Sequence, residues 1–213
     1  MNITIWSDFV CPFCYIGQAR LNKALKGFEH AGEVRIEYRS FQLQPDTRHV
    51  PGQDYYQAFM AQKGVSMAEA RAAFRRVADM AREENLEINV DIAKSANTFD
   101  AHRVLQYARE QGRDGEYARL VYQAHFSQGE LISEEETLAR LAREAGLEEA
   151  RVREILQGDA YVDSLQKDLS QARSLGISAV PFFVFDRRYA LSGAQPADSF
   201  RQALQTVWIE RAG

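Results

Sequence analysis

The sequence predicts an α/β fold interrupted by a large all-helical insertion, and three observations carry that expectation. Strand-like runs lie toward the two ends, at Asn2–Trp6, Val34–Leu43, Phe182–Phe185 and Tyr189–Leu191. From Gln53 to about Gln157 nearly every segment has a helical period. Both cysteines of the 213-residue chain stand in one stretch, Cys11-Pro12-Phe13-Cys14, where the first strand gives way to a helix.

Asn2–Trp6 alternates, with Ile3 and Ile5 on one face. In the helix that follows, Pro12 suits the first position because it has no N–H to lose and its φ is already helical, which makes Cys11 the N-cap. Tyr15, Ile16, Ala19, Leu21, Ala24, Leu25 and Phe28 form its apolar set. Gly32-Glu33 punctuates before Val34–Leu43, which is β-branched and aromatic. A helix between two such strands favours parallel pairing through a right-handed crossover. Gln44-Pro45-Asp46 and Val50-Pro51-Gly52 then break the pattern.

Four to six helices fit the region that follows. Ser66 with Glu69, and Ser133 with Glu136, read as capping-box starts. The stripes Phe74, Val77, Met80, then Val104, Leu105, Ala108, then Leu138, Leu141, Ala142 read as core rather than a cofactor box. Charge runs such as Arg82-Glu83-Glu84 and Glu134-Glu135-Glu136 read as solvated faces or first-turn acids. Asn97-Thr98-Phe99-Asp100-Ala101-His102-Arg103 opens a helix with polar groups. They serve either as a cap beside a solvent-facing His102 or as part of a pocket. Tyr161–Leu175 is a last helix with Gly176 at its C′ position. Phe182–Phe185 is continuous, as a strand covered on both faces would be. Asp186-Arg187-Arg188 turns the chain into Tyr189–Leu191, and Pro196 at a first helical position opens a terminal helix through Trp208. The expected division is 1–50 with 160–213 as one discontinuous α/β domain, and 51–159 as an inserted helical domain.

The chemistry concentrates at the cysteines. A thiol is a poor nucleophile until it loses its proton, and a helix N-terminus favours that loss through its unpaired N–H groups and dipole. Cys11 has that place. Cys14, almost one turn further in, is expected to be more covered and better suited to resolving a mixed disulfide than to starting one. The rival readings are a structural thiol pair, half of a zinc site, or chance. There is no third cysteine, and His30, His49, His102 and His125 show no short paired spacing, so no metal site is expected. Asp8, three residues before Cys11, either tunes its neighbour or caps the turn.

A net charge of −4 and a pI near 5.7 give no global basic footprint for nucleic acid. No basic region precedes a long apolar stretch, and no run is long enough to cross a membrane. The expected setting is the cytoplasm, where a lone dithiol is more often catalytic or redox-sensing than a permanent staple.

This order, with CxxC after the first strand and Val180-Pro181 leading into the third, resembles the thioredoxin-like fold with the inserted helical domain of DsbA-like proteins. Residues Asn97–Arg103, Gly176–Phe185 and Ser192-Gly193-Ala194-Gln195-Pro196 resemble the FrnE-like branch, related to 2-hydroxychromene-2-carboxylate isomerases and kappa-class glutathione transferases. The resemblance spans the whole chain and makes Cys11 and Cys14 the catalytic pair. It implies that Pro181 is cis and faces the dithiol, with the Val180 backbone turned outward to pair with an extended substrate. Pro12, Phe13, Val180, Pro181, Asn97, Ser192, Gly193 and Ala194 form the implied substrate-binding set. The isomerase and transferase relatives carry serine where Cys11 stands and use it to activate the thiol of bound glutathione, whereas this chain supplies its own dithiol. The expected activity is therefore thiol–disulfide exchange with a disulfide-containing protein or a low-molecular-weight thiol, as oxidase, reductase or isomerase. The rivals are a glutathione-dependent isomerase or transferase acting on a small aromatic molecule, and a redox-switched binding protein. No cofactor is expected to be required, and glutathione is the candidate co-substrate. No nucleic-acid or membrane partner is expected, and a homodimer is the candidate assembly.

Overall fold

The computed structural model describes residues 1–211, beginning with β1 (Asn2–Ser7), α1 (Pro12–Lys26), a short 3-10 turn at Ala31–Glu33, and β2 (Arg35–Ser40). β1 and β2 pair in parallel, from Asn2 opposite Arg35 to Ser7 opposite Ser40, as the strand-helix-strand pattern expects. The helices α2 (Tyr55–Lys63), α3 (Met67–Glu83), α4 (Phe99–Glu110), α5 (Asp114–Phe126), α6 (Glu135–Glu144), α7 (Glu149–Gln157) and α8 (Val162–Ser174) follow. The chain then returns through β3 (Phe182–Phe185) and β4 (Tyr189–Ser192) to α9 (Ala197–Arg211). β3 joins β1 antiparallel and β4 joins β3 antiparallel, giving the order β2-β1-β3-β4. This is the expected α/β sheet, built from both ends of the chain and interrupted by a helical insertion. Among the described residues no helix is long and apolar enough to cross a membrane.

The register puts Ile3 opposite Phe185 and Ile5 opposite Phe183, and all four are buried on one face beneath α1 and α9. Phe183 meets Phe200 of α9 edge-on, with ring centroids 4.7 Å apart. Burying each such side chain contributes about 1.5–3 kcal/mol. Gly17 sets how closely α1 lies on the sheet. A Cβ there would stand 3.0 Å from Pro181 Cγ and 3.1 Å from Phe183 Cζ, so a larger residue would lift the helix away from the Val180-Pro181 segment.

Several boundaries differ from the sequence reading. β2 stops short of Leu43 because β1 has no residue past Ser7 to continue the ladder. Phe41 N–H still reaches the Ser7 carbonyl at 3.0 Å, and Leu43 N–H turns to the Asp8 carboxylate at 2.7 Å. β3 is covered on one face only. Phe183 and Phe185 are buried while Phe182 and Val184 are half-buried, because on that second face α8 screens Trp6 and leaves the rest open. Ser66 and Glu69 form the expected capping box. Ser133 does not cap α6, whose N-cap is Glu134, and the Glu136 carboxylate that would complete the box is held by Arg153 of α7 instead. α1 ends at Lys26, leaving Phe28 beyond it against Trp208, and α9 begins just after Pro196.

An edge strand presents unpaired amides that invite another strand. Here two buried carboxylates occupy the outer edge of β2. Asp114 accepts from Tyr38 N–H at 2.9 Å, and Asp168 accepts from Ser40 N–H at 3.0 Å. Asp168, wholly buried on α8, also accepts from Arg39 at 2.7 Å and from Gln106 and Arg109 of α4 at 2.7 and 3.0 Å. One carboxylate thus ties β2, α4 and α8 together. Asp168→Ala would leave the Ser40 amide without its acceptor, take one of two acceptors from the Gln106 side chain, and leave Arg39 and Arg109 with Glu37 as their remaining carboxylate partner. We expect a loss of about 3 kcal/mol, read as a lower midpoint in urea unfolding at unchanged slope.

Candidate active site

Cys11 is the N-cap of α1 in extended backbone (φ −95°, ψ 109°), with Pro12 at the helix start and no side chain capping that end. The first-turn amides are therefore left to stabilise negative charge on its sulfur. Its N–H donates to the Asp8 carbonyl at 3.1 Å, and Cys14 N–H donates to the Cys11 carbonyl at 3.0 Å, which closes the turn that sets one cysteine above the other. The Cys11 thiol lies 3.5 Å from the Val180 carbonyl oxygen. The Val180–Pro181 peptide bond is cis. Both thiols are free and buried, at 4% exposure for Cys11 and 2% for Cys14, while Phe13 between them is 40% exposed. Burial pushes the Cys14 thiol well above its ordinary value, and its hydrogen bond to Cys11 adds to this, while the Asp8 backbone amide pulls the other way.

Beneath the dithiol the structure places groups that are far apart in sequence. Asp8 is wholly buried, and its two carboxylate oxygens meet Leu43 N–H at 2.7 Å and His102 Nε2 at 3.3 Å. His102 is therefore neither solvent-facing nor a cap. It is fully buried on α4, and Phe9 packs against its ring at 4.7 Å. His102, Gln106 and Arg109 follow one another at four- and three-residue steps, so α4 turns a single polar face toward the ends of β1 and β2. The adjoining Arg103 bonds the carbonyls of Ile155, Gly158 and Ala160 and so closes the C-terminus of α7. On α5, Tyr122 is buried and stacks on Tyr15, and His125 is buried with neither ring nitrogen bonded. Tyr55 of α2 approaches His125 at 6.2 Å between ring centroids. Asp8 and His102 stand among the sequence candidates, but Tyr55, Tyr122 and His125 carry no local motif that would mark them.

The remaining residues of the implied substrate-binding set fall into two groups. Val180 and Pro181 face the dithiol, and the Ser192-Gly193-Ala194 turn is tied beside them. Gly193 N–H donates to the Pro181 carbonyl at 2.8 Å in a backbone of φ +79°, and the Ala194 carbonyl accepts from Arg20 of α1 at 2.8 Å. Asn97 instead braces the loop after β2. Its side-chain oxygen accepts from Phe99 N–H at 2.8 Å, capping α4, and its amide donates to the Pro45 carbonyl at 2.7 Å. Pro12 is half-buried. A broad depression of about 1190 Å³ spreads over the open sheet face past Thr4, Arg35, Val184 and Arg187, and neither cysteine borders it.

A family model described as the DSBA-like thioredoxin domain matches residues 2–205. The crystal structure of a probable DsbA oxidoreductase from Streptomyces coelicolor superposes with a TM-score of 0.91 at 38% identity, covering 99% of this chain and 91% of that one. Two more distant structures share the fold. A 2-hydroxychromene-2-carboxylate isomerase has a TM-score of 0.73 at 16% identity, covering 100% of this chain and 98% of its own. The cytosolic disulfide reductase DsbM from Pseudomonas aeruginosa, solved also with GSH, has a TM-score of 0.69 at 18% identity, with 97% and 98% covered.

Burial lowers the His125 imidazole from its ordinary value of 6.5 to about 4, with the Asp8 carboxylate drawing it partly back. The folded protein therefore holds this ring neutral at pH values where the unfolded chain protonates it. Its contribution is fully present above pH 6.5 and is lost as pH falls toward 4, by about 3 kcal/mol over that interval. We expect His125→Leu to flatten the pH dependence of stability in this window, measured by urea unfolding at a series of pH values.

Proposed function

From the DSBA-like thioredoxin domain family, to which this chain belongs, we propose a thiol:disulfide oxidoreductase of the FrnE-like branch in which Cys11 attacks and Cys14 resolves. The observation that carries this is the pairing of Cys11, at an uncapped helix N-terminus, with a buried Cys14 inside the first turn, whose thiol burial pushes up. The Cys11 thiolate would attack a substrate disulfide and release one substrate thiolate, leaving a mixed disulfide. Cys14 would then attack the Cys11 sulfur, closing the internal disulfide and freeing the second substrate thiol. The reverse sequence oxidises a substrate dithiol, and which direction dominates follows from the redox poise set around Pro12 and Phe13.

In this proposal the substrate is a protein disulfide or a small thiol such as glutathione, used as a co-substrate in the cytoplasm. The DsbM structure with GSH supports a small thiol as partner for this fold. Exposed Phe13 offers an apolar contact, and the Val180 backbone an edge for an extended chain. The Ser192–Ala194 turn braces that edge from behind through its Gly193 and Ala194 backbone bonds, while Asn97 acts on the loop after β2 rather than on the substrate.

Cys11→Ser should abolish exchange with both a peptide disulfide and glutathione disulfide. Cys14→Ser should retain the first attack and accumulate a mixed disulfide, detected as a mass increment that dithiothreitol removes. Equal trapping by the two variants would show that the sulfurs do not have separate roles, and turnover that survives Cys11→Ser would remove the dithiol from the mechanism.

A further inference from the structure

Arg20 is a buried charge on the dithiol helix, 7% exposed, and the exchange chemistry proposed above gives it no part. Its guanidinium divides its nitrogens among separate partners. Nε donates to Glu84 at 2.9 Å, Nη1 to the Ala194 carbonyl at 2.8 Å, and Nη2 to Glu83 at 3.4 Å. Glu84 is itself covered, its side chain 7% exposed, with Lys23 on its other oxygen at 3.0 Å. Glu83 ends α3 and Glu84 is its C-cap, where the helix dipole disfavours negative charge, so local helix chemistry does not account for them. A buried ion pair is also a poor source of stability alone, because an apolar pair of similar volume commonly serves as well. What the cluster does supply is a fixed position for the Ala194 carbonyl.

That carbonyl belongs to the turn behind the Val180-Pro181 segment. The β3–β4 ladder ends with Phe182 opposite Ser192, so residues 193–196 lie beyond its last pair. Gly193 N–H donates to the Pro181 carbonyl at 2.8 Å, and Gln195 closes the turn through bonds to the Gly193 and Ser192 carbonyls. Among the described residues, Arg20 makes the one side-chain hydrogen bond to this turn from another element. Gly17, three residues before Arg20 and on the same face of α1, lies against Pro181 and Phe183. The dithiol helix therefore bears on the Val180-Pro181 segment twice, directly at Gly17 and through the Ala194 turn at Arg20. A lysine would offer one nitrogen where the planar guanidinium presents three along fixed directions.

We propose that Arg20, held by Glu84 at the end of α3, is a positioning residue that sets selectivity for peptide disulfides over disulfides without a peptide backbone. It fixes the turn that holds the Pro181 carbonyl, and so keeps the Val180 backbone in place to pair with an extended chain. It acts through that turn and not on the sulfurs. A small disulfide needs only the Cys11 sulfur and gains nothing from the edge. A peptide disulfide gains affinity from an edge that is ordered before it binds. The inference rests on the exchange reading above and adds to it the residue that orders the edge.

The test follows the reduced full-length protein in single turnovers with dithiobis-nitrobenzoate, which has no peptide backbone, and with a fluorogenic disulfide joining short linear peptides. Stopped-flow traces over a range of concentrations give a second-order rate constant for each disulfide. For the peptide they also separate the half-saturating concentration from the limiting rate. We expect Arg20→Met to lower the peptide rate constant relative to that for dithiobis-nitrobenzoate by about tenfold, through the half-saturating concentration rather than the limiting rate. Arg20→Lys should lose selectivity in the same way, because it keeps the charge but not the fork. Amide hydrogen exchange at Gly193 should quicken in both variants as the turn loses its support. If Arg20→Met does not fold, because Glu84 keeps only Lys23, the double variant Arg20→Met/Glu84→Leu removes both charges and carries the same comparison. A ratio of rate constants that stays at the parent's value, or equal losses on the two disulfides, would overturn the inference and leave the exchange reading standing. A parent whose dithiol is oxidised by neither disulfide would overturn both.

Discussion

A carboxyl group with no access to water has to be satisfied from every side, and at Asp8 that requirement organises the redox site. Its backbone carbonyl takes the Cys11 amide and its side chain takes the Leu43 amide and the His102 ring. Three separate stretches of chain therefore converge on one residue: the cysteine turn, the exit from β2, and α4 of the insertion. The same satisfaction ends β2, because once Leu43 N–H points at Asp8 it no longer faces a strand partner. A buried polar group left unpaired costs about 1–3 kcal/mol, and more if charged, so this convergence is enforced rather than incidental.

α4 carries the requirement across the molecule. Its apolar residues Val104, Leu105 and Ala108 pack into the core. Its polar face supplies His102 to the redox pocket and Gln106 and Arg109 to Asp168 at the sheet edge. One rigid helix thus sets the pocket beneath Cys14 and also holds the edge of β2. Its position next to the dithiol is not free to vary independently of the sheet.

Close approach sets the other wall of the site. Gly17 allows α1 to lie against Pro181 and Phe183, which brings the Cys11 thiol to the Val180 carbonyl. Gly193 then fastens the Ser192–Ala194 turn to Pro181 from behind, and Arg20 fastens the same turn to α1 while pairing with Glu84 of the α3 terminus. The dithiol helix, the Val180-Pro181 segment and the insertion therefore share bonded neighbours.

The sequence by itself determined the features that depend on local chemistry. Proline at the helix start made Cys11 an N-cap, the period of two and the intervening helix made β1 and β2 parallel, and Ser66 with Glu69 made a capping box. Only the tertiary structure decided the features that depend on distant partners. Whether Glu136 would cap α6 depended on Arg153 reaching it first, and whether β3 would be covered on both faces depended on how far α8 extends. Whether His102 met solvent or Asp8 depended on a partner 94 residues away in sequence. Capping and periodicity are written in neighbouring residues, because their interactions span a single turn or ladder. Burial of a charge is not, because the groups that satisfy it come together only when the insertion packs against the sheet.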